Sequence, residues 1–187
     1  MTNETKIKNR PFNKHITNAI EKWPNVPECY GWLKLNRRGE WLLKNKKVRH
    51  KRTIAFLNEN YRVGEDGSSY VQNGPQQVFV ALEYTPWVYR FNHHTGFSTH
   101  NHLKVRKINR AMSDEHGNLL IETSYGVGLV DDRDLGSLSA FLTETITGSD
   151  VLEHTGARVP IIKLTEHQIT RNYAFQKEPL PTNERHD

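Results

Sequence analysis

Cysteine is almost missing: Cys29 is the only one in 187 residues. A disulfide framework within the chain is therefore excluded, as is a zinc knuckle built on paired thiols, and a reducing compartment is the expected setting. Long apolar runs are missing too. No stretch approaches the roughly 18 residues that a membrane-spanning helix needs, and Met1 to Arg10 is polar, without the apolar centre of a secretory leader. A cytoplasmic chain with no membrane partner is the expectation. Catalytic signatures are equally scarce. There is no Gly-x-Ser-x-Gly elbow, and Cys29 stands in a proline-bounded linker without a neighbouring base. Tyr125-Gly126-Val127-Gly128 opens like a dinucleotide loop but has Asp131 where the third glycine belongs. No cofactor is expected, and the reading leans away from an enzyme.

What the chain does have is aromatic mass and a clustered positive charge. Seven Phe, seven Tyr and four Trp oppose a polar mean hydropathy of −0.75, so aromatic side chains must carry much of the core. The net charge is +5. Between Lys34 and Arg52 nine Lys and Arg stand against a single acid, Glu40. That segment suits nucleic acid, an anionic ligand or an acidic partner, and equally a solvated basic hairpin.

Periodicity divides the chain into helices and strands. Asn13 caps a helix with Phe12, Ile16, Ala19, Ile20 and Trp23 at three-to-four spacing, and Pro24 ends it. Trp32 to Leu35, the turn Asn36-Arg37-Arg38-Gly39 and Trp41 to Leu43 read as a hairpin. A helix follows from about His50 to Asn60, and Val78 to Leu82 reads as a buried central strand. The second half offers another hairpin about Asp114-Glu115-His116-Gly117 and a helix from Asp134 with Leu135, Leu138, Leu142 and Ile146 on one face. The match of Ala55 to Glu59 with Ala140 to Glu144, and of later turns at Gly74 and Gly156, suggests repetition. The expected fold is α+β, with mostly antiparallel sheets in two similar hairpin–helix–hairpin lobes after an N-terminal helix. Its boundaries are 1–28 for the helix and linker, 29–102 for the first lobe, 103–172 for the second, and 173–187 for a disordered tail.

A resemblance emerges from the order of the motifs. Trp32-Leu33-Lys34-Leu35, Arg38-Gly39-Glu40-Trp41, Val48-Arg49-His50 opening a helix, Asp66-Gly67 with Tyr70, and Glu83 before Thr85-Pro86-Trp87-Val88 together resemble a proteobacterial family known only as a domain of unknown function. The likeness is good over about 31–92 and otherwise holds in outline. It implies a two-lobed fold with repeated motifs and a regulatory or signalling role. Thr85 replaces a small acid expected before Pro86, and the basic run Lys44 to Lys47 replaces a shorter turn.

Candidate chemistry falls in two places. Arg49 and His50 at a helix start, with Glu83, Trp87 and Tyr89, form the expected ligand site, because a guanidinium beside free backbone N–H groups favours an anion. An Arg49–Glu83 ion pair is the competing structural reading. His93, His94, His100 and His102 form the candidate metal set, with His100 and His102 two apart as on one face of a strand. Asp131, Asp132 and Asp134 read as caps of a helix start. The leading functional reading is a regulatory module that binds a small anionic ligand or a protein partner without catalysis. A histidine-ligated metal enzyme and a nucleic-acid binder using residues 34–52 are the alternatives, and a homo-oligomer is left open.

Overall fold

The computed structural model describes residues 11–144, 150–154 and 156–181. The chain divides into two compact units. Of the described residues, the first holds 11–36, 40–84 and 175–181, and the second holds 37–39 and those within 85–174.

The first unit begins with α1 (Lys14–Lys22), whose cap Asn13 accepts from the His15 N–H at 2.9 Å. No residue of α1 is buried. The strands β1 (Cys29–Leu35), β2 (Trp41–Leu43) and β3 (Lys46–Lys47) lead to α2 (Lys51–Asn60), and β4 (Tyr61–Val63), β5 (Ser69–Asn73) and β6 (Gln76–Leu82) follow. They build one six-stranded sheet in the order β3-β2-β1-β6-β5-β4. Alternation along β1 turns Leu33 and Leu35 into the core, where Trp41, Tyr61, Val80 and Leu82 are also buried. Trp41 meets Tyr61 edge-on at 5.5 Å, and its indole N–H donates to Asn58 Oδ1 of α2 at 2.7 Å. The tryptophan thus satisfies its one donor while filling the core.

The second unit carries β7 (Trp87–Asn92), β8 (Gly96–Thr99), β9 (Ile108–Ser113), β10 (Leu119–Thr123), β11 (Gly126–Val130), β12 (Leu142–Glu144), β13 (Asp150–His154) and β14 (Ala157–Lys163). Their order is β12-β13-β14-β9-β10-β11-β7-β8. Between β11 and β12 stand two 3-10 turns, Asp132–Asp134 and Ser139–Phe141, about the single turn α3 (Leu135–Leu138). The last helix, α4 (Glu166–Tyr173), starts with a capping box of Thr165 and Gln168, buries Ile169 and stops at Ala174 in the left-handed region.

Several expectations are corrected here. The sheets are mixed, not mostly antiparallel, because β1 with β6, β7 with β11 and β9 with β14 all pair in parallel. Gly39, Gly74, Gly117 and Gly156 do take positive φ, but the elements beyond them diverge. Ala55 lies in a ten-residue helix and Ala140 in a 3-10 turn; Glu83 trails β6, whereas Glu166 opens α4. Two mixed sheets of six and eight strands replace the two similar hairpin–helix–hairpin lobes. The helix expected from Asp134 breaks after one turn because Gly136 lowers helix propensity and β12 takes over at Leu142; Ile146 lies outside the described residues.

The boundary also moves from 102 to 84. The Thr85 hydroxyl donates to the Trp87 carbonyl at 2.7 Å and accepts from the Leu129 N–H at 2.9 Å, which ties residues after Tyr84 to β11. The expected tail is ordered over its described part. Phe175 is buried, the Gln176 N–H donates to the Gly67 carbonyl at 3.0 Å, and the Leu82 N–H donates to the Lys177 carbonyl at 2.7 Å. Residues 182–187 of that expectation lie outside the described residues. Among the described residues no helix is long and apolar enough to cross a membrane.

Candidate functional site

The second unit contains a cavity of about 490 Å³, and its walls follow from local sequence. β7 and β8 are antiparallel, with Phe91 opposite Phe97 and Asn92 opposite Gly96. The Asn92 side chain accepts from the N–H groups of His94 and Thr95 at 2.9 and 3.2 Å, which fixes the His93-His94 turn at the mouth. After β8 the chain doubles back: the Val105 N–H donates to the Phe97 carbonyl at 2.9 Å. Extended backbone then puts Val105 inside and leaves Lys104 and Arg106 exposed on either side of it. Both cations line the cavity.

His154, the last residue of β13, supplies the far wall. Its ring meets Phe97 edge-on at 5.2 Å. Gly96 allows this approach, since a Cβ there would stand 3.0 Å from His154 Cε1, and its φ of +73° also favours glycine. Nε2 of His154 is buried without a hydrogen-bond partner among the described residues, and desolvation lowers the imidazole's pKa from the ordinary histidine value. His93 packs between Phe91 at 5.9 Å and Phe141 at 5.6 Å. Three imidazoles, an ammonium, a guanidinium and two Phe rings therefore share one space. No carboxylate is among its described lining residues.

The residues selected from sequence have varied fates. His50 caps α2, its Nδ1 accepting from the Thr53 N–H at 3.4 Å, and Arg49 is exposed beside it. Glu83 is exposed in the same unit, and its N–H donates to the Leu35 carbonyl at 2.9 Å. Trp87 and Tyr89 belong to the second unit and are buried. The Tyr89 hydroxyl donates to the Gly126 carbonyl at 2.8 Å and shares a 2.7 Å hydrogen bond with Thr123. Burial raises its pKa above the usual tyrosine value. The glycines resembling a dinucleotide loop serve this ring: a Cβ on Gly128 would lie 2.5 Å from Tyr89 Cε2 and from the Trp87 carbonyl.

The four histidines separate. His93 and His94 reach the cavity. His100 is buried in the turn after β8, where Nδ1 accepts from the Val88 N–H at 3.4 Å. Burial, reinforced by the charge of His102, lowers its pKa to about 3. His102 is exposed with φ +67°, so the two do not share a strand face. Among the described residues no three His, Cys, Asp or Glu are grouped to hold a metal.

The aspartates expected as caps do more than cap. Asp131 accepts from the Arg133 N–H at 3.0 Å, as a cap should, and also from Arg133 Nε at 2.8 Å. Arg90 forks onto Asp134 at 2.7 and 3.1 Å, and the Phe91 N–H donates to the same carboxylate at 2.9 Å. Burial raises the Asp131 pKa, but the hydrogen bonds from Arg133 and the charges of Arg133 and Arg90 outweigh it and hold the group below the usual carboxylate range.

Sequence reasoning missed Lys104, Arg106, Phe141 and His154. The alternation Lys104-Val105-Arg106 was a readable signal for two cations on one face. His154 carried none, because β13 and the β8 strand of Gly96 lie toward opposite ends of the eight-strand order, and no local pattern marks their approach.

Comparison with known proteins bears on the fold. A DUF1285 family protein from Silicibacter pomeroyi DSS-3 shares 14% identity over 87% of this chain and 96% of its own, with a TM-score of 0.55. A DUF1285 family protein from Shewanella baltica OS155 shares 13% over 58% of this chain and 90% of its own, with a TM-score of 0.42. No curated protein matches the chain. Residues 12–180 match the sequence model of a family described as "Protein of unknown function (DUF2946)", and the chain belongs to that family.

Proposed function

We propose that this protein is a regulatory binding module that holds a small anionic ligand in the cavity of its second unit. The supporting observation is the composition of the wall. Lys104, Arg106 and His154 line one space with His93 and His94, with no carboxylate among the described lining residues. A carboxylate or phosphate bound there meets a guanidinium able to fork onto two oxygens, an ammonium and an imidazole nitrogen without a hydrogen-bond partner among the described residues. Phe91, Phe141 and Val105 offer an apolar surface to the rest of the ligand. The role we assign is binding: the described lining residues supply cations and imidazoles suited to holding an anion.

His154 gives the reading a measurable signature. Its pKa is lowered by desolvation, and an anion at Nε2 favours the protonated ring. Binding therefore takes up a proton and tightens as pH falls. The test is titration calorimetry of the whole protein with a series of small carboxylates and phosphates, in two buffers of different ionisation enthalpy. The expected result is a ligand whose affinity falls about tenfold in Arg106→Met, the loss of one charged hydrogen bond, and whose proton uptake disappears in His154→Phe. If no anion in the series binds the wild type, or if one binds without proton uptake, the reading is wrong.

A further inference from the structure

The open face of the first unit's sheet has features that an anion cavity in the second does not explain. Alternation along β1 sends Trp32 and Lys34 to the side opposite Leu33 and Leu35, and Tyr30, before a shift in register between Cys29 and Leu33, lines the same groove. The parallel register with β6 sets Lys34 against Ala81 and brings Phe79 alongside. Tyr30 lies flat on Phe79, with ring centroids 4.4 Å apart and planes within 3°, and Tyr70 follows at 6.0 Å. Trp32 is 49% exposed, although a buried indole would contribute more to folding than any other side chain. The Lys44 ammonium sits 3.7 Å from its ring centroid. Tyr30, Trp32, Lys34 and Phe79 line a groove of about 500 Å³ together with the segment Pro179–Pro181.

We infer that this face binds single-stranded nucleic acid. Unpaired bases stack on aromatic rings irrespective of sequence, and lysines beside the rings meet the phosphates. The face supplies both: Trp32 and Tyr30 as ring surfaces, with Tyr30 backed by the buried Phe79, Lys34 and Lys44 beside them, and Lys46 exposed on the sheet's edge strand. Lys47 contributes less, because Glu40 already neutralises it at 2.6 Å. A duplex keeps its bases stacked on each other and offers only phosphates here. A free mononucleotide fills the groove but leaves the edge lysine unused. Glu178, at the groove's C-terminal wall, disfavours phosphate there and places the strand's path along β1 to β3.

The test is fluorescence anisotropy of a labelled single-stranded oligonucleotide of mixed sequence with the full chain, over a range of sodium chloride. For three engaged lysines the expected slope of log affinity against log salt is about −2, from about −0.7 per phosphate on a single strand. Trp32→Ala should weaken binding about tenfold, the cost of one lost base stack, with an unchanged melting temperature because the ring is half exposed. Lys44→Gln should flatten the slope, while Lys163→Gln on β14, an equal charge loss elsewhere, should change nothing. Absence of salt-dependent binding overturns the inference, as does unaltered affinity in Trp32→Ala. A duplex of the same sequence binding as tightly, or polyglutamate displacing the oligonucleotide equally well, shows a merely basic surface and also overturns it. Equal competition by AMP assigns the groove to a mononucleotide instead. These readouts are independent of the anion titrations on the second unit.

Discussion

The two units solve the same covalent problem with different materials. Each sheet joins its meanders through parallel pairing, β1 with β6 in one, and β7 with β11 and β9 with β14 in the other, and each therefore needs connections that cross back. In the first unit that connection includes the ten-residue α2, which buries Leu57. The interior nearby is aromatic, and most charges are left on the surface. In the second unit the connection between β11 and β12 is a string of short turns. What anchors it is ionic: Asp131, with no exposed side-chain area, and Asp134 receive Arg133 and Arg90. A buried carboxylate is costly unless its hydrogen bonds are met. The second unit should therefore be the more sensitive to pH and to single polar substitutions.

The largest effect should come from Gly128→Val. Even the first carbon of a side chain meets the Trp87 carbonyl and Tyr89 Cε2 at 2.5 Å, neither of which can swing aside, so a loss of about 3 kcal/mol is expected in urea unfolding. Gly31→Ala in the first unit provides the contrast. Nothing lies within 4 Å of the added carbon, and only the φ of +73° opposes it, at about 1 kcal/mol. Similar losses at the two sites would break the comparison.

Acid comes next. His100 is buried and neutral, with its pKa lowered to about 3, whereas in the unfolded chain it binds a proton below about pH 6.5. Its contribution is complete above that value and is lost as pH falls toward the folded pKa, at up to about 1.4 kcal/mol per pH unit. His154 is shifted in the same direction. Asp131, whose pKa is depressed, adds a loss only below about pH 4. Denaturant midpoints from pH 7 to pH 5 should therefore fall, and His100→Gln, which keeps an acceptor for the Val88 N–H, should flatten the trend. An equally steep trend in the variant would remove His100 as its source.

Asp131→Asn tests the ionic anchor. Loss of charge at hydrogen bonds from Arg133 and attraction from Arg90 should cost about 2 kcal/mol, and high salt should narrow the gap between variant and wild type. The smallest effect is reserved for Arg49→Met. This exposed residue before α2 should change stability by no more than about 0.5 kcal/mol, measured by thermal melting. A large loss there would restore the structural ion pair with Glu83 that the sequence suggested.

What the sequence determined by itself was local. Asn13 and His50 cap helices because a side-chain acceptor stands where backbone N–H groups are free, and Gly39 and Gly117 turn hairpins because positive φ costs glycine little. Val78 to Leu82 read as a central strand and is one. The motifs of the resemblance likewise led to an uncharacterised family. Tertiary structure decided the rest, because parallel pairing joins segments far apart in the chain and leaves no local mark. It ended the helix after Asp134 by drawing Leu142 into β12 against β13, and it engaged the Asp134 carboxylate with Arg90. It buried Trp87 and Tyr89 against Gly128 and left Trp32 exposed over Lys44. It also carried His154 across the sheet to Gly96, so that two cations and three imidazoles from separate stretches line one cavity. A side chain's chemical type is legible in one dimension; which groups share a space depends on the course of the whole eight-stranded sheet, since the cavity draws on β13 and on β7 and β8 from opposite ends of the strand order.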